Sequence, residues 1–262
     1  MRRIGIAAAL AACCAAAGGA QAAPEAASVS AEVVHRRLVE RADDGHRLVK
    51  ESGEVLRLEV AGTMALAGGG ALRGIAAAAA GELAYRGQTQ AGVPLATDAG
   101  HRDLELALQW RPLAPARWGE GWLVLTALQQ RRQIASQPAA RGLRETSLLL
   151  LPGVRWTRTL EAAGWQWQPS VELRASAYHR FDVGFGGLFD DAELRGGRRR
   201  ELVLGLEANR PDSPWRFGLA WSHARQSASP VQTLRRAGVP VGTVRQPRIA
   251  IDDVALRVTR SF

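Results

Sequence analysis

Residues 252–262 read DDVALRVTRSF: Val254, Leu256 and Val258 alternate with Asp253, Arg257 and Thr259, and the run stops on Phe262. A two-residue period is the signature of a β-strand, whose successive side chains point to opposite faces. Chain ends are usually polar and frayed. A terminal strand with one greasy and one ionic face therefore demands a neighbour.

The same rule recurs upstream. In EVLRLEVAGTMAL (54–66), Leu56, Leu58, Val60, Met64 and Leu66 oppose Arg57, Glu59 and Thr63. In DLELALQW (103–110), Leu104, Leu106, Leu108 and Trp110 oppose Asp103, Glu105 and Gln109. WQWQPSVELRASAYHRF (165–181) sets Trp165, Trp167, Val171, Leu173, Ala175 and Phe181 against Gln166, Gln168, Ser170, Glu172, Arg174 and Arg180. ELVLGLE (201–207) and WRFGLAW (215–221) repeat it, while WLVLTALQQ (122–130) and ALRGIAAAAAGELAY (71–85) are apolar on both faces. Turn signals separate these runs. A first hairpin turns at Asp43-Asp44-Gly45; short connections fall near 67–71, 112–118, 158–164 and 210–214, and longer ones near 86–100, 135–142, 182–197 and 225–248. The count is about ten strands, an even number with short turns on one side and longer loops on the other.

β-sandwiches and soluble ligand-binding barrels also alternate, with apolar faces inward. Three features favour lipid outside. Trp110, Trp156, Trp165, Trp167, Trp215 and Trp221 cluster near strand ends, as in interfacial girdles. Strands of about 10 to 14 residues exceed the soluble average of about 5 to 6. The third is the terminal aromatic itself. A sheet edge in lipid leaves backbone groups unsatisfied, so the last strand must pair with the first. The expected fold is all-β, a closed antiparallel up-and-down transmembrane β-barrel.

Val258 and Phe262, ending an alternating strand, resemble the C-terminal signature of Gram-negative outer-membrane barrels. That resemblance implies recognition by the barrel-assembly machinery. Arg260 departs from it by standing where an aromatic or apolar residue is usual, a position from which an arginine can snorkel. YRGQTQAGVPLAT (85–97) and GVPVGTVRQPR (238–248) resemble segments of uncharacterised proteobacterial outer-membrane barrel proteins. The likeness implies fold and location, and no activity.

The N-terminus, MRRIGIAAALAACCAAAGGAQAAPEA, has Arg2 and Arg3, an apolar run from Ile4, and small residues around Ala20-Gln21-Ala22. This is the layout of a cleaved secretory signal over residues 1–23, with the barrel over 24–262. Leu10-Ala11-Ala12-Cys13 offers the alternative of a lipobox with Cys13 lipidated. Cys13 and Cys14 are the two cysteines, so ordinary cleavage leaves neither disulfide nor thiol chemistry. The formal charge is +9, from 34 basic residues of which Lys50 is the one lysine. That balance permits an anionic partner, and export argues against nucleic acid.

The faces opposite the apolar ones carry Arg57, Glu59, Glu82, Arg86, Asp103, Glu105, Glu172, Arg174, Arg180, Glu201, Glu207, Arg216, Asp253 and Arg257. In a barrel this narrow, charges of both signs pair and seal the lumen. The expected role is structural or accessory, with a narrow porin-like solute channel as the alternative. An enzyme, protease or lipid A-modifying, would draw on Asp190, Asp191, His179 and His223, an Asp pair and His at the rim being able to activate water. Strand phase sets both histidines on the outward face. Arg198, Arg199 and Arg200 read either as contacts for lipopolysaccharide phosphates or as a solvated positive rim. No motif calls for a cofactor or a metal.

Overall fold

The computed structural model describes residues 26–88, 93–137 and 142–262. The signal-peptide reading and the Cys13 alternative lie outside those residues. Fifteen strands follow in order: β1 (Ala26–Arg41), β2 (Arg47–Ala65), β3 (Ala71–Gln88), β4 (Pro94–Arg111), β5 (Glu120–Ile134), β6 (Leu143–Thr157), β7 (Leu160–Ala162), β8 (Trp165–Ala175), β9 (Tyr178–Gly184), β10 (Ala192–Arg195), β11 (Arg199–Asn209), β12 (Trp215–Gln226), β13 (Gln232–Arg236), β14 (Val239–Val244) and β15 (Arg248–Ser261). Each barrel strand pairs antiparallel with its neighbours. β1 closes the cylinder against β15, from Ser28↔Ser261 to Arg41↔Arg248. β6 pairs with both β8 and β9, which together form one barrel strand, as β10 and β11 do. The result is a closed antiparallel barrel of ten strands. β13 and β14 form a separate two-stranded hairpin in the loop before β15.

The terminal strand thus has its neighbour. The Phe262 amide donates to the Ala27 carbonyl at 2.9 Å, and the Arg260 guanidinium lies over both Phe262 and Trp215.

Outward residues form an apolar belt: Leu56, Leu58 and Val60 on β2, Leu104, Leu106 and Leu108 on β4, Phe217 and Leu219 on β12, and Val254, Leu256 and Val258 on β15 are all exposed. An exposed greasy surface that encircles a closed sheet is a lipid-facing surface. β2 has 19 residues and β3 and β4 have 18 each. Crossing hydrocarbon takes about 9 to 11. The surplus extends on the long-loop side, which we call extracellular, and there the outer wall carries Arg86, Arg102, Arg131, Arg200 and Arg225, all exposed.

Beyond the belt the rule for the two faces inverts. Water lies outside, so the dry side is the interior. Val49, Tyr85, Ala99 and Ile134 pack inside the barrel's extracellular end, joined by Phe181, Val183 and Leu194. Apolar side chains also enter the lumen lower down, as Val34, Val55, Leu83 and Ala255 on one side and Leu128, Leu149 and Leu151 on the other.

Three expected lumen residues are on the outer wall. Glu82 and Arg86 are exposed, because Glu82 pairs with outward Glu54 while Leu83 and Tyr85 turn inward. The alanine run before them carries no phase. Arg180 is exposed because Leu150 pairs with Tyr178 while Gly153 pairs with Arg174. Two residues of β6 there oppose three, a bulge that turns every later side chain over. His179, expected outside, is consequently buried inside with Phe181.

Candidate functional site

The lumen is the one large chemical feature of the fold, and its side chains come from alternate positions on every barrel strand. Its periplasmic half holds a continuous ladder of ion pairs. Arg57 reaches Glu32 (2.6 Å), Glu59 (2.9 Å) and Glu105 (3.3 Å). Arg257 reaches Glu32 (2.7 Å) from the opposite side, Arg174 bridges Glu172 (2.5 Å) and Glu105 (3.5 Å), and Arg216 pairs with Glu207 (2.9 Å). At mid-height Arg36 joins Asp103 (2.8 Å) on β4 to Asp253 (2.9 Å) on β15. Arg199 donates to the Gln130 side-chain carbonyl (2.7 Å) and to Glu201 (3.2 Å).

The third tier lies under the apolar cap. Arg132 donates to Glu40, to Glu51 and to Glu145 (2.7 Å), and Glu51 also holds His101 Nε2 at 2.7 Å. Glu51 has no solvent exposure and Arg132 lies against the Tyr85 ring. Three carboxylates on one largely buried guanidinium form a connected hydrogen-bond network. Such networks hold neighbouring strands in one arrangement when every member is paired.

The lumen therefore contains Arg57, Glu59, Asp103, Glu105, Glu172, Arg174, Glu201, Glu207, Arg216, Asp253 and Arg257, which alternation had selected. It also contains Glu32, Arg36, Glu40, Glu51, Arg73, His101, Arg132, Glu145 and Arg155, which it had not. Glu32, Arg36 and Glu40 are four apart along β1 and so share a face, a regularity that extending the two-residue count to the first strand would have revealed.

The rim residues disperse. Asp190 accepts hydrogen bonds from the Ala237 and Gly238 amides (2.9 and 2.8 Å), clamping the tip of the β13–β14 hairpin. Asp191 is exposed, 3.9 Å from Arg144. His179 contacts the Gly197 carbonyl (2.9 Å) and Ser147 Oγ (3.3 Å), and among the described residues no carboxylate pairs with it. A side chain at Gly196 would collide with that imidazole, and one at Gly197 with the Ser227 carbonyl. His223 is on the outer wall, stacked on Trp221 and bonded to Asp252 at 2.6 Å. The arginine run also divides. Arg198 and Arg200 are exposed, but Arg199 is buried in the lumen, because it begins β11 in inward phase. Among the described residues no group of three His, Cys, Asp or Glu is placed to hold a metal ion.

A closed ten-stranded cylinder, apolar outside and ion-paired within, defines a small transmembrane β-barrel of the outer-membrane type. Comparison with solved structures agrees. The outer membrane protease OmpT from Escherichia coli superposes with a TM-score of 0.53 at 9% identity, over 94% of this chain and 99% of that one. The translocator domain of the autotransporter NalP from Neisseria meningitidis gives 0.51 at 10% identity, over 97% and 93%. At such identities the likeness is one of fold. No protein-family model matches the chain, and no curated protein sequence does.

Proposed function

We propose that the chain resides in the Gram-negative outer membrane, delivered there by the N-terminal signal and by assembly machinery reading Val258 and Phe262. Its role in this reading is structural or accessory, with a lumen that does not conduct. The observation that carries it is the sequence of barriers along the axis: the Arg57 ladder, the Arg36 and Arg199 tier, the Arg132 network, and the apolar cap of Tyr85, Ile134 and Phe181. A hydrated ion crossing it would have to displace paired charges and then pass apolar side chains that offer it no ligand. The dispersal of Asp190, Asp191, His179 and His223 argues against hydrolysis at the rim.

Conductance of the refolded protein in planar bilayers is the test. The expected trace is silent. Discrete, ion-selective openings would establish the channel instead, and proteolytic or lipid-hydrolysing activity in detergent would establish the enzyme.

The outer wall also supports contact with phosphorylated lipid, at positions other than the sequence run alone. Arg102 and Arg131 are directly opposed across β4 and β5, as are Arg200 and Arg225 across β11 and β12, all on the exposed face beside the belt. Like charges directly opposed repel. A lipid phosphate between them would relieve the repulsion with its acyl chains against Leu104 and Leu106.

A further inference from the structure

Carboxylates and guanidinium groups both line the central cavity, and on the wall formed by β3 to β6 two of the guanidinium groups are not closely engaged by those carboxylates. Arg73 on β3 lines that cavity, and among the described residues it has no carboxylate within ion-pairing reach. The carboxylates whose fields touch it, Glu59 and Glu207, are held by Arg57 and Arg216 at 2.9 Å each. The charge acting on it most strongly is a second cation, Arg155 on β6. Arg155 is itself poorly matched. It lies 3.8 Å from Glu172, which Arg174 already engages at 2.5 Å.

A second observation is independent of charge. Thr126 on β5 lines the same cavity with no solvent exposure, and its Oγ1 has no hydrogen-bond partner among the described residues. A buried hydroxyl left unpaired is costly, so it signals a missing partner. Gln109 on β4 lines the cavity too and is 3% exposed. Four adjacent strands thus contribute two guanidinium groups, a hydroxyl and an amide to one space of about 170 Å³. That space would admit roughly ten waters. The periplasmic mouth gives access, since Arg216 there keeps 33% and Arg155 20% of side-chain exposure.

We infer that this wall is a binding site for a small periplasmic oxyanion, held by the Arg73 and Arg155 guanidinium groups with Thr126 and Gln109 as further donors. A guanidinium presents paired N–H groups that match two oxygens of a phosphate or carboxylate, and in a partly dehydrated lumen such charge-assisted bonds are strong. The site needs only the periplasmic opening, so it is independent of whether the barrel conducts.

The experiment uses the full barrel refolded in a phosphate-free glycoside detergent and titrated with inorganic phosphate, followed by calorimetry and ³¹P line broadening. Saturable binding at one site is expected, weakened about tenfold or more by Arg73→Gln and by Arg155→Gln. The paired substitution Arg102→Gln with Arg131→Gln, on the lipid-facing wall, should leave it unchanged and so separates a lumenal anion from a lipid phosphate. Each lumenal variant removes a cation that lacks a well-placed carboxylate, and heat-modifiable mobility confirms closure. Should Arg73→Gln fail to refold, Thr126→Val carries the test through a smaller loss of affinity. The absence of saturable phosphate binding, or binding that the lumenal variants retain in full, would overturn the inference.

Discussion

Replacing Arg132 by methionine removes the one guanidinium that serves Glu40, Glu51 and Glu145. At an effective dielectric near 20, each such contact is on the order of 4 kcal/mol before desolvation. The arginine's own burial, relieved in the variant, offsets much of that sum. What remains is the cost of leaving carboxylates buried without a cation, about 3 to 5 kcal/mol. His101 stays on Glu51 at 2.7 Å and cannot serve the other two. Urea unfolding in lipid vesicles, followed by tryptophan fluorescence, measures the loss. The deficit should be largest near neutral pH and shrink in acid, because protonated carboxylates no longer repel one another. Adding Glu51→Gln to Arg132→Met should restore part of the stability. A loss below about 1 kcal/mol, or one indifferent to pH, would mean that water reaches the cluster and that it is no part of a seal.

Other consequences follow from the faces of the wall. Leu106 is 57% exposed in the middle of the belt, so Leu106→Arg should cost about 2 to 4 kcal/mol of folding free energy in vesicles. An equal loss in a detergent-free aqueous buffer, with the protein dissolved, would contradict lipid contact. Exchanging Arg102 and Arg131 together for glutamine should reduce the phosphorylated outer-leaflet lipid that co-purifies with the barrel. Unchanged lipid yield by mass spectrometry would remove those residues from the lipid site.

Local alternation made most of the barrel legible. Glu59 and Glu105 flanked by leucines could be assigned to one face because their neighbours in sequence are of the opposite kind. Where neighbours were alike, the rule had nothing to count. In the run Ala76–Ala80 both faces are alanine, and only the pairing Glu54↔Glu82 sets the phase that sends Glu82 outward. At Ser176–Ala177 the sequence carries no mark of the bulge, since an extra residue is defined by what β6 places opposite it. Arg180 and His179 exchange faces for that reason. Arg199 likewise looked like the middle of an exposed run, and only its pairing with Gln226 on β12 shows it turned inward.

The chain by itself determined the period of its strands, the rhythm of its turns and the greasy face that seeks hydrocarbon, because these depend on residues one or two positions apart. The height at which water replaces lipid outside the wall was decided by the assembled cylinder, which is why Tyr85 and Phe181 face inward while residues of the same kind lower down face out. So was the meeting of Arg132 with three carboxylates from three other strands. Arg132 and Glu40, 92 residues apart in the chain, become partners only when the strands are assembled into the barrel.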